Sequence, residues 1–190
     1  TLHTESGKEI PFNFRLTNDE NQKPVIEIIN GDERLKVDDI IFQEDSVLIK
    51  MPFFDSEFRG HFEGDAIKGV WVKHLADKDV AMNFVAEPDT YWRFIESKIK
   101  AKADVTGKWA TTFVSDKDSS FAVGEFVQAG NKLTGTFLTT TGDYRFLEGT
   151  VANNEFYLSC FDGTHAYLFT GKIEDDKIVD GKFYAGLSHV

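Results

Sequence analysis

Cysteine, methionine and proline are scarce in this sequence, with one, two and four copies among 190 residues, and the scarcity of cysteine narrows the chemistry first. A lone thiol, Cys160, permits no internal disulfide and no Cys-x-x-Cys pair. Thiol exchange uses an attacking thiolate and a resolving partner, so this chain alone is not expected to be an enzyme of that class. Basic residues are also few: 21 Lys and Arg face 32 Asp and Glu, for a formal charge of -11 and a pI near 4.9. Phosphate binding needs clustered cations, and no cluster occurs, so no nucleic-acid partner is expected. No apolar run approaches the roughly 20 residues of a membrane-spanning helix, so no transmembrane segment is expected in this chain. The five histidines, His3, His61, His74, His165 and His189, lack HExxH or paired spacing, and no metal or cofactor is expected. Nucleophile-elbow, phosphate-loop and dinucleotide fingerprints are missing too, so no catalytic residue is assigned.

What the sequence does have is phenylalanine, 18 copies in a chain that is 41% hydrophobic. Phe favours strands and brings a large apolar area to a core. Most of the chain reads as runs of five to nine residues rich in Val, Ile, Phe, Tyr and Thr, such as "FAVGEFVQ", "KLTGTFLTT", "EFYLSCF" and "HAYLFTGKI", parted by Gly, Asn and Asp clusters. That alternation is the mark of antiparallel strands and hairpins. Cys160 falls within one such run and reads as a small core residue. Glycines inside the runs, at 124, 135, 149, 171 and 181, mark bulges, bends or places where a ring lies on the backbone, and favour a curved sheet.

One stretch breaks the pattern. Residues 88–106 place Tyr91, Trp92, Ile95 and Ile99 near helical spacing behind Pro88 and Asp89, which predicts a short helix. The flanking parts look like copies of each other. An ungapped shift of 111 residues aligns Gly31 with Gly142, Asp32 with Asp143, Arg34 with Arg145, Phe58 with Phe169, Gly60 with Gly171 and Ile67 with Ile178. The expected architecture is therefore all-β: two similar antiparallel meander halves, a lipocalin-like barrel or a sandwich, joined by the helix. The first repeat spans 1–87, the helical linker 88–106 and the second repeat 107–190. The first half has a run, "DVAMNFVAE", with no counterpart in the second, which is expected to lack a strand at its C-terminal edge. Core candidates are Phe12, Phe14, Ile26, Ile28, Trp71, Phe84, Trp109, Phe113, Phe126, Phe137, Phe146, Leu158, Phe169 and Phe183.

The repeated Gly-Asp-x-Arg sits between two strand-like runs in each half, where Gly in first place suits a two-residue type II′ hairpin. The structural role suffices to explain it. Asp143 and Arg145, with Asp162 and His165 of "FDGTHAY", are nevertheless the candidate ligand-binding residues, because an acid, an imidazole and a guanidinium at one opening would bind an anion or a carbonyl.

The stretches "GEFVQAGNKLTGTFLTTTGDYRFLEG", "LSCFDGTHAYLFTGKI" and "GKFYAG" resemble the segment that precedes the thioredoxin module in bacterial TlpA-like thiol-disulfide oxidoreductases; "GKEIPFNFRL", "INGDERLKV" and "FFDSEFRG" are similar to its opening portion. The resemblance covers about residues 7 to 186. It implies a non-catalytic N-terminal β domain of an envelope thiol-disulfide oxidoreductase, periplasmic or lipid-anchored. There it would act as a substrate or partner interaction module beside a C-terminal thioredoxin-like domain of the same gene product. The alternative is a lipocalin-like small-molecule binding protein, since a meander barrel with inward Phe and Tyr encloses apolar space.

Overall fold

The computed structural model describes residues 1–96 and 98–187. It is all-β, and the strands form two groups. The first comprises β1 (Leu2–His3), β2 (Glu9–Ile10), β3 (Asn13–Asn18), β4 (Pro24–Asn30), β5 (Glu33–Val37), β6 (Asp39–Gln43), β7 (Ser46–Lys50), β8 (Ser56–Glu63), β9 (Ala66–His74) and β10 (Asp79–Ala86). The second comprises β11 (Gly107–Val114), β12 (Ser119–Ala129), β13 (Lys132–Thr139), β14 (Tyr144–Ala152), β15 (Glu155–Phe161), β16 (Ala166–Glu174) and β17 (Lys177–Ala185).

In the first group the order β2-β1-β10-β9-β8-β7-β6 makes one sheet and β3-β4-β5 a smaller one. Pro11 and Phe12 separate β2 from β3, and Asp38 separates β5 from β6. Proline has no N–H to give a ladder, so the strand bends there and changes sheet. Because β2 leads into β3 and β5 into β6, the pairings return on themselves, with β10 against β1 through Phe84 opposite Leu2. The result is a barrel of eight strand positions. The second group is a single curled sheet in simple order from β11 to β17.

The 111-residue shift maps one group onto the other strand by strand. It carries β9 onto β17 with the same bounds, and β8 onto β16 to within one residue. Inward glycines recur at matching places: a Cβ on Gly60 would lie 2.6 Å from Ile67 Cγ2, and one on Gly171 2.5 Å from a Phe156 ring carbon. At those points a ring or branched chain fills the space that a side chain would need, which lets the sheet curl tightly.

Two cores result. Trp71, Phe58, Phe84, Ile28 and Met82 fill the first barrel, joined by Phe161, Ala166 and Leu168 from the second sheet. Phe161 inserts edge-on to Trp71 with ring centroids 5.2 Å apart. Phe126, Phe137, Leu147, Phe156, Leu158 and Phe169 fill the second. The halves thus share a packed seam rather than a linker alone.

Three expectations fail. Residues 88–106 form no helix among those described: Asp89 and Phe94 take left-handed φ values of 56° and 66°, and the side chains buried there are Arg93 and Val105 rather than Tyr91, Trp92, Ile95 or Ile99. Tyr91 and Trp92, at helical spacing, are exposed. Phe14 and Phe146 are not core residues, at 36% and 41% exposed. Phe146 is the extra residue of a bulge, since Gly135 pairs with Leu147 but Phe137 pairs with Tyr144; its φ of 54° turns the ring outward. The two-residue hairpin holds at Gly31-Asp32, flanked by Asn30 opposite Glu33, but not at Gly142-Asp143. There β13 and β14 are separated by residues 140–143, and Gly142 has φ 148°. His189 lies outside the described residues.

Candidate functional site

The four polar residues singled out by sequence form two pairs. Arg145 Nη2 donates to Asp143 Oδ2 at 3.1 Å, and the guanidinium end is largely in solvent. Asp162 Oδ1 accepts from the backbone N–H of Thr164 at 2.9 Å and of His165 at 2.6 Å, while its Oδ2 lies 3.0 Å from His165 Nδ1. This is an Asx-type turn closed by its own carboxylate. His165 stacks on Tyr167, which meets Tyr144 edge-on at 5.0 Å. Burial pushes the Tyr167 hydroxyl up to about 12, with the Asp162 charge adding to it. The rings bring the pairs into one neighbourhood, but no hydrogen bond or ion pair joins them among the described residues. Each carboxylate is already spent on bracing its own turn.

The motifs also serve the seam. The Gly31 N–H donates to Glu148 Oε2 at 2.8 Å, so the first Gly-Asp corner docks on the strand that follows the second one. Asn30 Nδ2 donates to the Phe161 carbonyl at 2.7 Å and its Oδ1 accepts from the Phe161 N–H at 3.3 Å. The Phe-Asp-Gly turn is held from the other side, where Ser56 Oγ donates to the Gly163 carbonyl and Lys73 Nζ to that of Thr164 at 2.9 Å. Sequence reading missed the central pin. Arg93, 3% exposed, donates from Nε to Asn13 Oδ1 at 2.9 Å, from Nη1 to the carbonyls of Ser159 at 3.1 Å and Glu148 at 3.3 Å, and from Nη2 to the Ile29 carbonyl. Its fork therefore reaches β3, β4, β14 and β15 at once. Burial pulls the guanidinium below its ordinary pKa, against the pull of the Glu148 carboxylate. The signal available in the sequence was an arginine in the middle of an aromatic run, "TYWRFIE".

Uncommitted apolar surface gathers at the mouth of the first barrel. Inward residues of β3, β4, β6, β7, β8, β9 and β10 surround an apolar recess of about 90 Å³. Its floor is Ile28, Ile49, Met51, Phe58 and Phe84, all buried. Its rim is Phe14, Leu16, Phe42 and Phe62, exposed by 36%, 53%, 47% and 40%. Among its lining residues only Thr1 is polar. A hollow of about 340 Å³ on the outside of the same sheet mixes Arg59, His61, Gln43 and Ser46 with Ile41 and Leu48, and brings no carboxylate or thiol. Cys160 is buried and its thiol is pushed up to about 12, first by burial and then by the Asp162 charge, which leaves almost no thiolate near neutral pH.

Known protein families, curated proteins and solved structures were compared with the chain, and none matches.

Proposed function

We propose that the chain is a non-catalytic binding module whose first barrel takes the end of an apolar group, such as an aliphatic chain, into its mouth. The observation that carries this is the rim: four large apolar side chains stand in solvent around an apolar floor, and each is inward by strand alternation. Exposed apolar clusters of this kind mark binding sites in folded proteins. The recess is smaller than the roughly 300–1,000 Å³ that encloses a whole drug-sized ligand, so it suits a chain terminus. Binding of N-phenyl-1-naphthylamine, displaced by decanoate, tests the reading. Phe62→Glu places a charge on the rim and is expected to weaken probe binding at least about tenfold. Unchanged binding in that variant would remove the mouth as the site.

The resemblance of the Gly-Asp-Tyr-Arg and Phe-Asp-Gly stretches supports a wider setting for the same module: a position ahead of a thioredoxin-like domain in an envelope protein, presenting substrates or partners to it. The burial of Cys160 favours that division of labour, since any thiol exchange would fall to another domain. Reading the codons downstream of this segment tests it; a reading frame without a Cys-x-x-Cys module contradicts it.

A further inference from the structure

The recess of the first barrel is apolar, but the turns that stand around its mouth are acidic. Of its lining, Phe42 and Val47 are joined by residues 43–46, Phe62 and Ile67 by residues 63–66, and Val85 and Ala86 are followed by Glu87. These three stretches carry Glu44, Asp45, Glu63, Asp65 and Glu87, all exposed. They lie side by side, since the Phe62 N–H donates to the Asp45 carbonyl at 2.8 Å and Ala86 lies opposite Ile67. Across the mouth, beyond the pair Leu16 and Ile26, the turn between β3 and β4 adds Asp19 and Glu20.

The positive groups at this end are Lys23, Lys68 and His61. Seven carboxylates against two lysines leave a balance of -5 with the imidazole neutral, out of -11 for the whole chain, so the mouth carries a concentrated negative field. Part of it is already answered: Lys68 and His61 are both spent on Glu63, and Asp19 accepts from the N–H groups of Asn21 and Lys23 in its own turn. Glu44, Asp45 and Asp65 make no side-chain hydrogen bond or ion pair among the described residues. The Thr1 amine lines the recess, but it donates to the Val85 carbonyl at 2.7 Å, and burial lowers its pKa to about 6, so it brings little charge near neutral pH.

We propose that the mouth takes cationic amphiphiles, an alkyl chain ending in a protonated amine, with the apolar end in the recess and the ammonium group beside the turns of Glu44, Asp45, Asp65 and Glu87. This rests on the recess being the binding place and adds the charge that its ligand carries. Apolar burial supplies the affinity, and the carboxylates select the head group through a field that salt weakens. The same field disfavours a second copy as the occupant, because two acidic mouths would then meet.

Displacement of N-phenyl-1-naphthylamine by three ligands of one chain length, decylammonium, decanol and decanoate, tests the proposal. At about pH 7.4 and about 20 mM salt, decylammonium is expected to bind about tenfold or more tighter than decanoate, with decanol between, and the gap to narrow to about threefold or less in about 0.5 M salt. The triple variant Glu44→Gln, Asp45→Asn, Asp65→Asn should narrow the gap in low salt and leave decanol unchanged. Equal binding of the three ligands, tighter binding of decanoate, or a gap that the triple variant does not alter would overturn the proposal while leaving the recess as the site. Failure of all three to displace the probe would remove the recess and the proposal with it. Affinities that fall as protein concentration rises, with a dimer in sedimentation, would show a second copy over the mouth and also overturn it.

Discussion

Replacing Arg93 by alanine removes a side chain that bonds to four strands, and the size of the effect follows from what it leaves behind. Three backbone carbonyls, of Ile29, Glu148 and Ser159, lose a donor that is itself only 3% exposed. Each unsatisfied buried group costs about 1–3 kcal/mol. Against this, the variant no longer buries a charge, which offsets part of the loss. The net destabilisation expected is about 3–5 kcal/mol, a large share of a total of roughly 5–15 kcal/mol. In urea, with a slope of about 2 kcal/mol per molar, the midpoint should fall by roughly 2 M. Arg93→Lys keeps the charge but not the planar fork and should lie between. Lys98→Ala, in the same segment with its side chain 80% exposed, should move the midpoint little. A midpoint for Arg93→Ala within about 0.3 M of the parent, on the same slope, would refute the idea that this residue pins the seam.

Other outcomes follow from the same structure. Gly135→Ala should destabilise by about 1–3 kcal/mol, because its Cβ would meet the Phe126 ring and lie 2.6 Å from the Glu125 carbonyl oxygen, whereas Gly181→Ala, with nothing within 4 Å, should be nearly neutral; equal thermal midpoints would contradict this. Cys160 in the native chain should react with a disulfide reagent at about pH 8 roughly a thousandfold more slowly than in urea, and rapid native labelling would contradict its burial. His74 Nδ1 lies 2.7 Å from Asp79 Oδ1, and that bond raises the imidazole above its ordinary 6.5. The pair's contribution is therefore full below the unfolded value and fades as pH rises through the raised folded one. The stability difference between the parent and Asp79→Asn should be present near pH 5.5 and shrink toward pH 9, and a difference independent of pH would show that the imidazole is not involved.

The all-β class and the strand phases were legible because period-two alternation is a local property of runs such as Leu133 to Leu138. The repeat was legible because its strand bounds follow the same shift as its identities, down to β9 and β17. The linker was not. Its aromatics mimic a helical face, while Asp89 and Phe94 take left-handed φ and the buried Arg93 is fixed by partners more than 50 residues away, which no local window contains. Phe146 failed for a related reason: a bulge shifts the alternation by one, so an inward residue by count points outward. Of the candidate site, Asp143, Arg145, Asp162 and His165 were found as neighbours in pairs, but their roles depend on which backbone groups they face. The mouth of the first barrel was foreseen only as a class, since its rim gathers residues from β3, β6 and β8.

The claim that the mouth of the first barrel is the binding place is tested most directly by intermolecular nuclear Overhauser effects from bound decanoate. The account predicts contacts to the methyl groups of Ile28, Ile49 and Met51 and none to Val123 or Leu138, which are exposed on the outside of the second sheet. Contacts confined to Val123 and Leu138, with the floor of the recess silent, would contradict it.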